Sequence, residues 1–250
     1  MSGDRQTGWN EQACGKCGKT TEGLKRCGKC QIQRYCDRDC QKEHWMTHKL
    51  VCGSIASAED YKRNYATSRD VTKNLDVPVA DPFTRIDKGI WLHGRSQGDT
   101  FKLLIDTCRM RMADELTFEK KANPDSVFSE GVTSSIGAFR KFLDILETKH
   151  RELLPDWWND EKRQECEQLG MDSNVWESLS AKRGKDDINT YYSDENMSMQ
   201  FRMFSFFVYD RGISGVDAKD FLQVLVTLES GQFHFTDRGE RKETVLFQPQ

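Results

Sequence analysis

Apolar and polar positions alternate with a helical rhythm through most of the chain beyond residue 86. After Asp99, read as an N-cap, Phe101, Leu104, Ile105, Cys108 and Met112 recur at i, i+3, i+4, i+7 and i+11, which predicts a helix with one apolar stripe. Phe139, Phe142, Leu143 and Leu146 predict a second. A third is expected from Pro155, with proline in the first turn, to Gly170 as the stop. Helices "NVWESL", "SMQFRMFSFFVY" and "DAKDFLQVLVTLES" follow, the last capped by Asp217. The middle one is apolar nearly all round, the pattern of a helix at the centre of a bundle. Trp157 and Trp158 are adjacent at a helix start and cannot both face one core, so one of them is expected at the surface as a partner contact. Only "FHFTD" and "ETVLFQ" suggest strand, and the expected fold class is mainly α.

The rhythm stops before residue 86. "GSIASAEDYKRNYATSRDVTKNLDVPVADPFTR" is polar, poor in large aliphatics and closed by Pro78 and Pro82, the composition of a linker. Four segments result: 1–53 with a core at 14–52, a linker at 54–85, a helical domain at 86–235, and a tail at 236–250. Composition agrees with a soluble globular protein, at 36% hydrophobic and 31% charged residues. There is no run of eighteen apolar residues and no apolar signal core in "MSGDRQTGWNEQ", so the expectation is no membrane passage and an intracellular protein, in cytoplasm or nucleus.

Cysteine usage changes the picture for the first segment. Of nine cysteines, seven (Cys14, Cys17, Cys27, Cys30, Cys36, Cys40, Cys52) lie in the first 52 residues. In a reducing compartment such clustering points to metal rather than disulfides. The spacing runs C-x2-C, C-x2-C, C-x3-C, then His48-x3-Cys52, which makes eight ligands in four pairs. A C-x2-C turn aims two thiolates at one ion, and ligands four apart share a helix face. Eight ligands imply two tetrahedral Zn2+ sites, each with four protein ligands and no open position for catalysis. Spacing leaves open which pairs share an ion.

The order C-x2-C, C-x2-C, "RYCDRDCQKEHW", "HKLVC" resembles the MYND-type zinc finger over residues 14 to 52, including Tyr35, Gln41, Trp45 and Lys49. The resemblance implies interleaved pairs: Cys14, Cys17, Cys36 and Cys40 on one ion, and Cys27, Cys30, His48 and Cys52 on the other. His44, four residues from both Cys40 and His48, is then expected to face solvent. MYND fingers bind short proline-containing peptides of partner proteins in a shallow groove, and the matching positions here are Tyr35, Gln41 and Trp45. The implied function is protein–protein interaction: the finger as recognition module, the helical domain as adaptor scaffold.

Charge and the remaining motifs narrow the alternatives. The first 53 residues hold ten Lys/Arg and six Asp/Glu. Seven bound thiolates and two zinc ions reduce that excess to +1, so nucleic acid is not the expected partner. "IWLHGRSQGDT" superficially suggests a phosphate loop, yet it is one residue short and Asp99 stands where lysine is needed. Cys108 lies on an apolar stripe, Cys166 has no identifiable histidine partner, and His93, His150 and His234 are scattered. Some MYND proteins carry a SET methyltransferase. This chain lacks its Asn-His segment, is mostly helical, and also lacks the H-x-D pair of an oxygenase. The expectation is therefore no enzyme activity, with a MYND-associated protein methyltransferase or a nucleic-acid-binding regulator as alternatives. A finger too small to bury a core should fold only with zinc, and the helical domain is expected to melt separately.

Overall fold

The computed structural model describes residues 13–21, 23–29, 33–55, 72–77, 80–213 and 218–230. Among these the protein is mainly α. A two-stranded antiparallel ribbon, β1 (Lys25–Arg26) and β2 (Arg34–Tyr35), precedes α1 (Arg38–Ile55). Then come α2 (Pro82–Asp87), α3 (Gln97–Asp114) with a π-helical turn at Glu115–Glu119, and α4 (Ile136–Lys149). The chain continues through α5 (Asp160–Met171), α6 (Lys185–Tyr192), α7 (Met197–Tyr209) and α8 (Lys219–Glu229). No described helix is long and apolar enough to cross a membrane.

The centre of the helical part is α3 against α7. The stripe Phe101, Leu104, Ile105, Cys108 and Met112 is buried, and Phe201, Phe204 and Phe206 of α7 meet it from a helix that is buried almost all round. Trp91 lies at 4.9 Å from the Phe204 ring and 5.9 Å from Phe201, closing one end of the core. The polar face of α3 is buried too, because its charges are paired. Arg109 Nη1 donates to Asp106 at 2.7 Å, and Arg202 of α7 grips Asp114 through Nε and Nη2 at 2.7 and 2.8 Å. Buried charges are tolerated only when paired in this way.

Several local expectations are corrected. The N-cap of α3 is Ser96, whose side chain accepts from Asp99 N; Asp99 sits inside the first turn. Its buried carboxylate instead accepts the backbone N–H groups of Asp76 and Val77, a favourable place for negative charge at a helix N-terminus. Residues 72–77 are therefore tied to α3, and Phe83 and Ile86 of α2 lie in the main core. Helix α5 begins at Asp160, capped by Asn159, rather than at Pro155. "NVWESL" is a run of turns, and the helix lies further on at α6. Trp158 is in the core with Nε1 donating to Glu147, and Trp157 is half-buried against Phe101, so neither tryptophan projects as a free contact. Asp217, "FHFTD" and "ETVLFQ" lie outside the described residues.

Candidate metal centre

The finger is built from two tight turns and one helix. Around Cys14 the chain doubles back: Gly18 N donates to Cys14 O at 2.8 Å, and Gly18 takes φ +70, a conformation that glycine adopts without strain. Gly15 N donates to Arg34 O, which brings this turn against the ribbon. A Cβ on Gly15 would fall 1.8 Å from the Gln33 side-chain amide, so a larger residue there would have to displace Gln33. Cys27 N donates to Gln33 O, setting the second turn beside the first. Asp37 then starts α1: its carboxylate accepts Asp39 N at 3.0 Å and Cys40 N at 2.8 Å. The Cys40 N–H, ahead of the cost of burial and with help from the Asp39 N–H, holds the Asp37 carboxyl below its usual range. This cap, which the sequence reading passed over, is signalled by aspartate just before the helical "RDCQKEH".

With these pieces in place the ligands converge in two groups. Cys14, Cys17, Cys36 and Cys40 bring one sulfur each to within 4.8 Å of one another, and so do the ligand atoms of Cys27, His48 and Cys52. Cys30, expected with the second group, lies outside the described residues. The first and third pairs thus meet, and Cys27 of the second pair meets the fourth, with α1 supplying Cys40 to one group and His48 and Cys52 to the other.

The spacing of the donors fits zinc. Four sulfurs at about 2.3 Å from a tetrahedral ion stand about 3.8 Å apart. Cys17 and Cys36 are 3.5 Å apart, Cys17 and Cys40 4.0 Å, and Cys27 and Cys52 3.7 Å. A disulfide would bring sulfurs to about 2 Å, so these are not disulfide pairs. Electrostatics agree. Burial raises the Cys14 thiol, but the N–H groups of Cys17, Cys36 and Lys16 outweigh it and lower it to about 6. Hydrogen bonding with Cys17, burial and Cys14 push Cys36 up to about 11; burial, then Cys14 and Cys17, push Cys40 to about 12. The cluster holds one negative charge readily and further ones poorly, and a dication is what lets all four sulfurs ionise. Burial, with some repulsion from His44, lowers His48 to about 4, so it presents a neutral imidazole, the form that binds metal.

The other three site residues fall in different places. Tyr35 is 1% exposed in the finger core, its Oη 3.0 Å from His44 Nδ1; it offers no outer surface for a groove because it fills the space between ribbon and helix. His44 joins neither ligand group and is half-buried rather than solvent-facing, stacked at 5.9 Å on His48. Trp45 is 40% exposed, and Gln41, one turn earlier on α1, is half-buried.

Comparison with known proteins agrees on the finger and corrects one expectation. The family model of the MYND finger matches residues 14–52. The chain is 50% identical over 42 residues to histone-lysine N-methyltransferase Smyd1 of Mus musculus, covering 17% of this chain and 9% of that protein. It is 43% identical over 58 residues to N-lysine methyltransferase SMYD2-A of Xenopus laevis (23% and 13%) and 50% over 42 residues to SMYD2 of Rattus norvegicus (17% and 10%). The match therefore spans about a tenth of these relatives' length. No solved structure matches the chain. The expectation of no enzyme activity is overturned by relatives that are themselves lysine methyltransferases. Residues 14–52 are a MYND zinc finger, its cysteines and histidine gathered in clusters that fit zinc.

Proposed function

We propose that the finger, holding two structural zinc ions, is a protein-recognition module that serves lysine methylation. The observation that carries this is Trp45, 40% exposed on the helix that the zinc ligands hold in place. Gln41 lies one turn away on the same face, so an indole platform stands beside an amide able to bond an extended backbone. A proline-containing segment suits such a surface, since it is already extended and loses little entropy on docking. The two zincs, closed by four protein ligands each, supply rigidity and no reactive position. Thiolate ligands need a reducing compartment, which supports an intracellular location.

A second reading is that the protein itself transfers methyl groups to lysine, and the named activity of the relatives favours it. One experiment separates the two. The zinc-loaded full chain, wild type and Trp45→Ala, is used to capture partners and then supplied with methyl-labelled S-adenosylmethionine. Capture that depends on Trp45 without label supports recognition alone; label on a captured lysine supports the methyltransferase. Capture that Trp45→Ala leaves intact, with no label, sinks both.

A further inference from the structure

The sequence reading expects a finger and a helical domain that melt apart; the packing argues otherwise. Phe221 of α8 is half-buried and belongs to two cores at once. It packs against the finger cluster of Cys14, Cys27, Tyr35 and Cys52, and against the main helical core. Its helix is anchored on both sides. Leu222, Leu225 and Leu228 are buried in the main core, and the Glu229 carboxylate accepts Phe83 N, Thr84 N and Thr84 Oγ1 of α2 at 2.7 Å each. A second contact joins the same two bodies. Lys49 of α1, one residue after the ligand His48, places its ammonium 5.0 Å from the Phe118 ring on the π-helical turn. Arg202, the partner of Asp114, stands 5.8 Å from the same ring.

We propose that zinc bound by Cys27, His48 and Cys52 sets the docking of α8, making the finger and the helical domain one cooperative unit. The ion would tie together Cys27 and Cys52, two of the four residues in the cluster that forms the floor under Phe221. Without it, the two thiols lose their common tie and the floor loosens. Because Phe221 lies in both cores, the loss passes to α8 and, through Glu229, to α2. Coupling of this kind is reciprocal: whatever loosens α8 must weaken retention of that zinc by the same factor.

The test uses the full chain. Native mass spectrometry counts zinc, and amide exchange follows residues 219–229 with and without chelator. Stripping zinc from wild type should raise exchange in that segment about tenfold or more. Phe221→Ala should keep its zinc in buffer but lose the second ion to about tenfold less chelator. Should Phe221→Ala not fold, Phe221→Leu is read in the same way. A full zinc count with unchanged exchange on stripping, or unchanged chelator resistance in the variant, overturns the coupling. The inference rests on a second zinc; a count of one or none overturns that metal reading, and is seen directly in the mass.

Discussion

Asp106 has no access to solvent and accepts from three side chains. Arg109 Nη1 and Tyr192 Oη donate to it at 2.7 Å, and Trp176 Nε1 at 3.2 Å. Burial pushes its carboxyl up, while Arg109 and the two hydrogen bonds hold it down. The pair is worth most when it is broken, because the 2%-exposed Arg109 would then carry an uncompensated charge in a dry place. Asp106→Asn should cost about 3 kcal/mol in urea denaturation. Gly170 makes a steric case: a Cβ there falls 2.7 Å from Leu179 Cδ1, and Leu179 is fully buried. Gly170→Ala should cost about 1–2 kcal/mol in the same assay, and Leu179→Val in that background should recover part of it. The apolar neighbours of Asp106 were legible from their spacing. Asp106 was not, because an aspartate between Ile105 and Thr107 reads as a solvent-facing residue until its partners, some seventy or more positions away in Trp176 and Tyr192, are brought beside it.

Among elements, legibility follows the strength of the apolar period. Helices α3 and α4 carry stripes that no other conformation would use, and α7 is an apolar run too long for a strand. Helix α6 carries Ile188, Tyr191 and Tyr192 among Asp, Asn and Thr, residues that favour caps and turns, so its pattern is hidden; Gly184 and Asp187 start it, with Gly184 N donating to the Asp187 carboxylate at 2.8 Å. The finger's helix was legible because ligand chemistry imposes its own period: Cys36 and Cys40, then His48 and Cys52. Which pairs share an ion depends on β1, β2 and two turns that have no apolar signature. Helix α8 depends on a contact that no local pattern displays. Glu229 satisfies three donors at the start of α2, where helix N–H groups lack intrahelical partners. Removing it as Glu229→Ala should lower stability by roughly 2 kcal/mol, read as a drop in the thermal midpoint by circular dichroism. Glu229→Gln, which keeps an acceptor but no charge, should lose less.

At the scale of the whole molecule, composition and packing draw the start of the helical part in different places. Polar residues and two prolines make 54–85 look like a tether, and residue 86 looks like the first of a domain. Yet Lys73 N donates to Tyr192 O, Asn74 Nδ2 to Tyr191 O, and Asp76 and Val77 to the Asp99 carboxylate, while Phe83 has no exposed surface. A segment can be polar and still be structural when its backbone and polar side chains make the contacts, and hydropathy is blind to that. The consequence is measurable with two fragments. One spanning 72–235 retains the strap over α3 and all of α2, so it should unfold in a single cooperative transition, at a midpoint below that of the zinc-loaded full chain because Phe221 has lost the finger. One spanning 86–235 strips Phe83 from the core, leaves the buried Asp99 carboxylate without its N–H donors, and removes the groups that Glu229 grips. Each loss is of the order of 1–3 kcal/mol against a total stability of roughly 5–15 kcal/mol. The shorter fragment should therefore aggregate or melt without a sharp transition. Equal, sharp melts for both fragments would mean that residues 72–85 are a tether after all.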